Sequence, residues 1–202
     1  MKLKNYSKAN IVLFAMIQIL FISCVSDDAS DSKGNNLGGN DALYMSFKTP
    51  DWERNVECDL DFEPVFVNDS TSNLSYSSQS TGGIFCFSYP SDSSKIVRPK
   101  SIKKYKIMSI YDNNEPFQFS QKIPVDPSSI DKGIQKKLIS LEGFSDTEYN
   151  QVMEIRYLKS EPNYAVFRVK CKYEMKTFLG ENPETIKPIN GEFAFKIRTS
   201  KK

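Results

Sequence analysis

The sequence predicts an all-β domain, an antiparallel sandwich or a meander barrel of about eight strands. Three observations carry this expectation. Between residues 165 and 175 the odd positions are all apolar or aromatic, and the even ones after Val166 are charged. That is the period of a strand with one buried and one wet face. Aromatic residues make up 12% of the chain, 14 Phe and 10 Tyr beside a single Trp, a composition that suits pleated surfaces. Helical spacing is confined to one stretch, described below.

Taken in order, the first strand is expected at 43–48. In the second, Val56, Cys58, Leu60 and Phe62 alternate with an acidic outer row of Glu57, Asp59, Asp61 and Glu63. Residues 68–83 (NDSTSNLSYSSQSTGG) read as a long polar loop, either mobile or functional. Strands follow at 84–89, 103–110, 117–123 and 151–158. The LKSEPNY segment (158–164) is the hairpin connection into the long strand 165–175. After the turn signal Asn190-Gly191, the apolar residues Phe193, Phe195 and Ile197 alternate with Glu192, Ala194, Lys196 and Arg198. One short helix competes near 128–141, where Ile130, Ile134, Leu138 and Leu141 recur at helical spacing after Pro127 and a Ser128 or Ser129 cap. Gly133 inside it costs about 1 kcal/mol, and residues 139–141 also fit a strand.

The amino terminus has a different character. Lys2, Lys4 and Lys8 precede an apolar run from residue 11 to 22 that only Gln18 interrupts, the pattern of a secretory signal. As a helix that run spans roughly 18 Å, short of the ~30 Å hydrocarbon core. Leu20-Phe21-Ile22-Ser23-Cys24 resembles a bacterial lipobox, with Phe21 in place of the usual aliphatic residue. The resemblance implies cleavage after Ser23 and acylation of Cys24, and two or three acyl chains hold a protein on a bilayer where one is marginal. Ser26-Asp27-Asp28 resembles the acidic export signal of surface lipoproteins in the Bacteroidota, especially the flavobacterial type. It implies an outer-membrane lipoprotein displayed on the cell surface, with a periplasm-facing protein as the alternative. Residues 25–40 lack apolar periodicity and form a tether of roughly 20 to 24 Å. The organisation is therefore a signal peptide at 1–23, a lipidated tether at 24–40 and a single β-rich domain at 41–202.

Charge and composition exclude several functions. The chain has 27 basic and 25 acidic residues and no histidine. Ser-His-Asp and Cys-His catalysis, His-ligated zinc and histidine switching are thereby removed. Without residues 1–23, the balance is 24 basic to 25 acidic. Nucleic acid is not an expected partner, since an exported domain with no reading motif does not suit it. No cofactor or metal is expected: carboxylates alternating along one strand lie ~6.5 to 7 Å apart and cannot all converge on one ion. Paired-carboxylate glycan hydrolysis stays chemically open, although no spacing selects a pair.

Four local features remain as candidates. Cys24 aside, three cysteines allow one disulfide, and Cys58 with Cys86 is favoured among the three pairings because the polar loop between them can bring their strands together; three buried thiols are the alternative. Residues 95–106 carry six positive charges and no negative one (Lys95, Arg98, Lys100, Lys103, Lys104 and Lys106), a patch suited to anionic glycan or lipid, or else a solvated face. Asp69-Ser70-Thr71 resembles the three-residue O-glycosylation motif of exported Bacteroidota proteins, which implies modification at Ser70. Trp52 after Asp51 suits either a sugar-stacking platform or the closed end of a β core. The expected function is a binding or interaction module on a lipid anchor, not an enzyme, with a glycan, lipid or protein ligand; a lipocalin-like carrier of a small apolar ligand is the alternative.

Overall fold

The computed structural model describes residues 42–58, 64–78, 80–96 and 99–201. Eleven strands form one predominantly antiparallel sheet: β1 (Tyr44–Lys48), β2 (Glu53–Glu57), β3 (Val65–Asn68), β4 (Thr71–Ser78), β5 (Gly83–Pro90), β6 (Lys104–Tyr105), β7 (Phe119–Pro124), β8 (Lys137–Ser140), β9 (Tyr149–Ser160), β10 (Tyr164–Leu179) and β11 (Asn182–Ser200). Their order is β2-β1-β11-β10-β8-β7-β5-β4-β3, with β9 on β10 and β6 on β9. Among the described residues no ladder joins β2 to β3, so the sheet is open and the all-β expectation resolves toward the sandwich. No helix among those residues is long and apolar enough to cross a membrane.

The sheet becomes two layers at β10. Along one edge β10 pairs with β11 over nearly its whole length. Along the other it pairs first with β9, from Ala165 to Glu174, and then with β8, from Thr177 to Leu179. Two strands sharing one edge must diverge, and β8 leads into β7, β5, β4 and β3, which fold back over β10 and β11. The layers meet through aromatic rings. Phe119 of β7 lies 4.7 Å from Tyr173 and 4.9 Å from Phe193, and Phe87 of β5 lies 5.1 Å from Phe193, between ring centroids. Phe193 also stacks on Phe195 at 4.5 Å. All are buried. Each buries enough apolar surface to contribute about 1.5–3 kcal/mol, with about 0.5–1.5 kcal/mol more per well-placed ring pair.

Several expectations change. The polar stretch read as a loop at 68–83 contains β4, which pairs residue for residue with β5 from Thr71↔Pro90 to Ser78↔Gly83. Thr71, Ser72 and Ser78 are small enough to be buried between neighbouring strands, Ser75 is exposed, and only Leu74 and Tyr76 supply an apolar period. The helix near 128–141 does not form. A short 3-10 turn at Pro127–Ser129 is followed by irregular chain and then β8. Gly133 has a positive φ of 65°, and the apolar set is divided: Leu138 is 0% exposed while Ile134 is 53% exposed. The 103–110 strand shrinks to β6, two residues paired with Gln151 and Asn150, followed by bridges at Ile107. In the acidic strand, β2 ends at Glu57, and Leu60, Asp61, Phe62 and Glu63 lie outside the described residues.

Asn190-Gly191 is not a turn. Both residues lie inside β11, and the reversal occurs two residues after Phe178, around Gly180 and Glu181. Gly191 serves close packing: a Cβ there would stand 2.1 Å from the Ser46 carbonyl oxygen and 2.7 Å from the Tyr173 hydroxyl. Tyr173 reaches over this glycine, and its hydroxyl donates to the Ser46 carbonyl at 2.9 Å, tying β10 to β1 across β11.

The wet face is laced by ion pairs. The basic row of β10 faces carboxylates of its own neighbours and not the acidic residues of β2, which lie beyond β1 and β11. Arg168 meets Glu154 at 3.3 Å and Lys170 meets Glu192 at 3.1 Å. In the turn from β9 to β10, Glu161 accepts from Arg198 Nε at 2.8 Å and pairs with Lys159 at 2.8 Å. Arg198 first, then Lys159, hold its carboxyl down to about 2.

Two outcomes follow from these contacts. Gly191→Ala is expected to cost about 1–3 kcal/mol in denaturant unfolding, since the Ser46 backbone must yield; an unchanged midpoint would contradict the close approach. Because the folded pKa of Glu161 is depressed, its contribution is complete above its ordinary value of 4.5 and is lost as pH falls toward about 2. Glu161→Gln should flatten the dependence of melting temperature on pH within that window, and parallel wild-type and variant profiles would remove the clamp from the account.

Candidate functional site

The residues singled out in the sequence do not gather into one site. Cys24 lies outside the described residues, as does Arg98 of the basic segment. Within that segment Lys104 stands over the Tyr149 ring at 3.8 Å and pairs with Asp146 at 3.5 Å, while Lys106 pairs with Glu142. Lys103 lies 5.2 Å from the Tyr105 ring centroid, and Lys95 and Lys100 are exposed. The segment's charge is therefore partly neutralised by neighbouring carboxylates.

Ser70 is exposed at the tip of the β3–β4 hairpin. Its hydroxyl and backbone N–H both donate to the Asn68 side-chain oxygen, at 2.8 and 2.9 Å. Trp52 sits at the end of the core, edge-on to Phe47 at 4.8 Å, and its indole N–H donates to the Pro124 carbonyl at 3.2 Å. Asp51 beside it pairs with Lys187. The tryptophan closes the core.

The expected Cys58–Cys86 disulfide is absent: Cys58, Cys86 and Cys171 are free, buried thiols. Alternation explains this. Phe85 and Phe87 point into the core that contains Cys58, so Cys86 between them faces the other side of its layer, where its sulfur lies 3.4 Å from the Ser75 hydroxyl. Burial pushes the thiols of Cys86 and Cys171 up.

A concave feature of the outer surface lies elsewhere, at the end of the second layer. It is a groove of about 530 Å³ lined by residues of the β4–β5 turn region, the β7–β8 loop and the strands beneath. Its floor is a cross-strand row running Ser77↔Ile84↔Lys122. Tyr76 and Phe85, adjacent in sequence to the first two, face the core, so this row faces outward. Lys137 pairs across from Pro124 and shares the face, diagonal to Lys122. One wall is the β7–β8 loop, with Ile130, Asp131, Gly133 and Ile134.

Lys137 builds that wall. Its ammonium donates to the carbonyls of Ile130 at 2.5 Å and Ser129 at 3.3 Å. Gly82, at a positive φ of 57°, lies directly above: a Cβ there would stand 3.2 Å from the Lys137 nitrogen and 3.1 Å from the Ile130 oxygen. Burial pushes the Lys137 ammonium down, Lys122 adds to this, and Asp131 partly opposes it. The arrangement presents two cations beside Ile84, Ile130 and Ile134, with Ser77 and Ser78 also in the lining and Asp131 its one carboxylate.

None of these residues is marked in the sequence. Lys122 and Lys137 look like ordinary strand-end lysines, and the groove exists only because β4, β5, β7 and β8 pair side by side. Among the described residues no three Cys, Asp or Glu side chains are placed to hold a metal ion. Comparison with protein-family models, curated proteins and solved structures gave no match.

Maleimide treatment of the native protein is expected to leave Cys58, Cys86 and Cys171 unmodified, and unfolding without reductant should expose all three to alkylation. A mass gain of a single label in the unfolded protein would restore the disulfide.

Proposed function

We propose that this chain is a binding module held outside the cytoplasm by a lipid anchor, at the outer membrane and facing outward from the cell. The reading joins the lipobox-like leader to the position of the groove. Where the tether reaches the domain, the Ala42 carbonyl accepts from Arg168 Nε at 3.4 Å and Nη2 at 3.1 Å, near the start of β10. The groove lies at the other end of the same strand, where Gly180 N–H donates to the Lys137 carbonyl at 2.9 Å. The ten residue steps from Arg168 to Phe178 span roughly 33 Å of strand. This separation is the observation that carries the reading: a domain tethered near one end keeps its concave surface clear of the headgroups.

The aromatic side chains that suggest a carrier are in contact with one another across the layers. A paired-carboxylate hydrolase needs two carboxyl groups flanking its substrate, and Asp131 is the groove's one carboxylate. Binding without chemistry accounts best for such a surface.

Expressed in a bacterium that acylates lipoproteins, the wild-type chain is expected in the detergent phase on phase partition, with a mass consistent with cleavage before Cys24 plus acyl chains. Cys24→Ser should pass to the aqueous or precursor fraction. Identical partition and no acyl mass would overturn the anchor. Protease added to intact cells should digest the wild type; complete protection beside a digested surface control would turn the protein to face the periplasm.

A further inference from the structure

The lysines of this domain are, for the most part, answered by carboxylates: Lys48 by Glu53, Lys104 by Asp146, Lys106 by Glu142, Lys170 by Glu192 and Lys176 by Glu148. Those are all more exposed than Lys137, which at 6% exposure is the one lysine among the buried residues. Taking an ammonium out of water is costly, and buried charges are ordinarily paired with an opposite charge. Lys137 has two carbonyl acceptors for its three N–H donors, and no carboxylate of the described residues comes within ion-pair distance of it. Its neighbour across the floor is a second cation, Lys122, whose charge disfavours the Lys137 ammonium further. At the base of the open groove Lys122 adds to the electrostatic cost of the Lys137 ammonium, and Asp131 offsets that cost only in part. An anion placed between the two lysines lowers it further.

We infer that the groove binds a small organic anion, its carboxylate or other oxyanion head set between Lys122 and Lys137 and its apolar body against Ile84, Ile130 and Ile134. The inference rests on the binding-module reading and names the ligand class for that surface. The lining sets two cations beside three isoleucines, its remaining side chains being Ser77, Ser78 and the single carboxylate Asp131, and so suits an amphipathic ligand better than a bare inorganic ion. The 53% exposure of Ile134 gives the apolar body a partner that is otherwise wet. The groove's volume, about 530 Å³, is in the range of sites that enclose small molecules.

The test uses the acylated full chain in lipid nanodiscs, titrated calorimetrically with 4-phenylbutyrate, its neutral counterpart 4-phenylbutan-1-ol, and inorganic phosphate, with empty nanodiscs subtracted. The acid is expected to bind one saturable site, at least about tenfold more tightly than either the alcohol or phosphate. Lys122→Gln, at a partly exposed position, should keep the native circular dichroism and melting behaviour while weakening the acid about tenfold and leaving the alcohol unchanged. Lys137→Met, which preserves length without charge, should lose the preference for acid over alcohol. Equal affinity for acid and alcohol, unchanged affinity in Lys122→Gln, or no saturable binding up to 10 mM acid would each overturn the inference. Detergent partition and protease accessibility read the lipid-anchored placement independently, so failure here is distinguishable from failure of that reading.

Discussion

Ring contact between the two layers is the constraint on which the rest of this domain depends. Phe119 and Phe87 from one layer meet Tyr173 and Phe193 from the other at 4.7 to 5.1 Å and hold β5 and β7 over β10 and β11. Those contacts require β10 and β11 to be long, because the strands must pass under the second layer and still extend past it to carry β9 and β1. They also require a fork in the sheet. β9 and β8 share one edge of β10, and the divergence after Glu174 turns a single hydrogen-bonded sheet into a sandwich without breaking the ladder.

The fork creates the groove as a consequence. β8 ends the second layer beside the β10–β11 turn, and the β7–β8 loop must return over the outer face to reach it. Lys137 holds that loop by its carbonyls, while Gly82 leaves room above the ammonium. A charge is thus placed where the geometry needs a donor to backbone oxygens. The same side chain is a structural clamp and a recognition element.

Elsewhere charge is organised by strand pairing. Across β9, β10 and β11 the ion pairs run diagonally: Arg156, Arg168 and Lys196 stand directly opposite one another, while Arg168 reaches Glu154 and Lys170 reaches Glu192 one step along the neighbouring strand, and Tyr44 joins Glu192 through its hydroxyl at 3.2 Å. Pairs such as the half-exposed Lys170–Glu192 contribute about 0.2–1 kcal/mol each. Their greater effect is on register: a one-residue slip would bring each side chain to the wrong face. Gly191 reinforces the same register from within, since only that position lets Tyr173 reach Ser46.

Period two made β10 and the end of β11 legible from residues alone, because strands with one wet face must alternate and the charged residues at 168, 170 and 172 leave no other reading. Composition likewise determined the all-β class, and the absence of histidine removed whole classes of chemistry. β4 was hidden because serine and threonine, though small enough to be buried between paired strands, carry no apolar period. The isoleucines at 130 and 134 imitated a helix because spacing cannot distinguish a shared face from a loop wall. Asn190-Gly191 imitated a turn, while in the folded chain the glycine answers a carbonyl on a strand 145 residues away in sequence. The cysteine pairing and the groove were decided by tertiary structure alone: whether Cys86 faces Cys58, and whether Lys122 and Lys137 share a surface, depend on which strands lie side by side, and a local pattern holds no information about its neighbours.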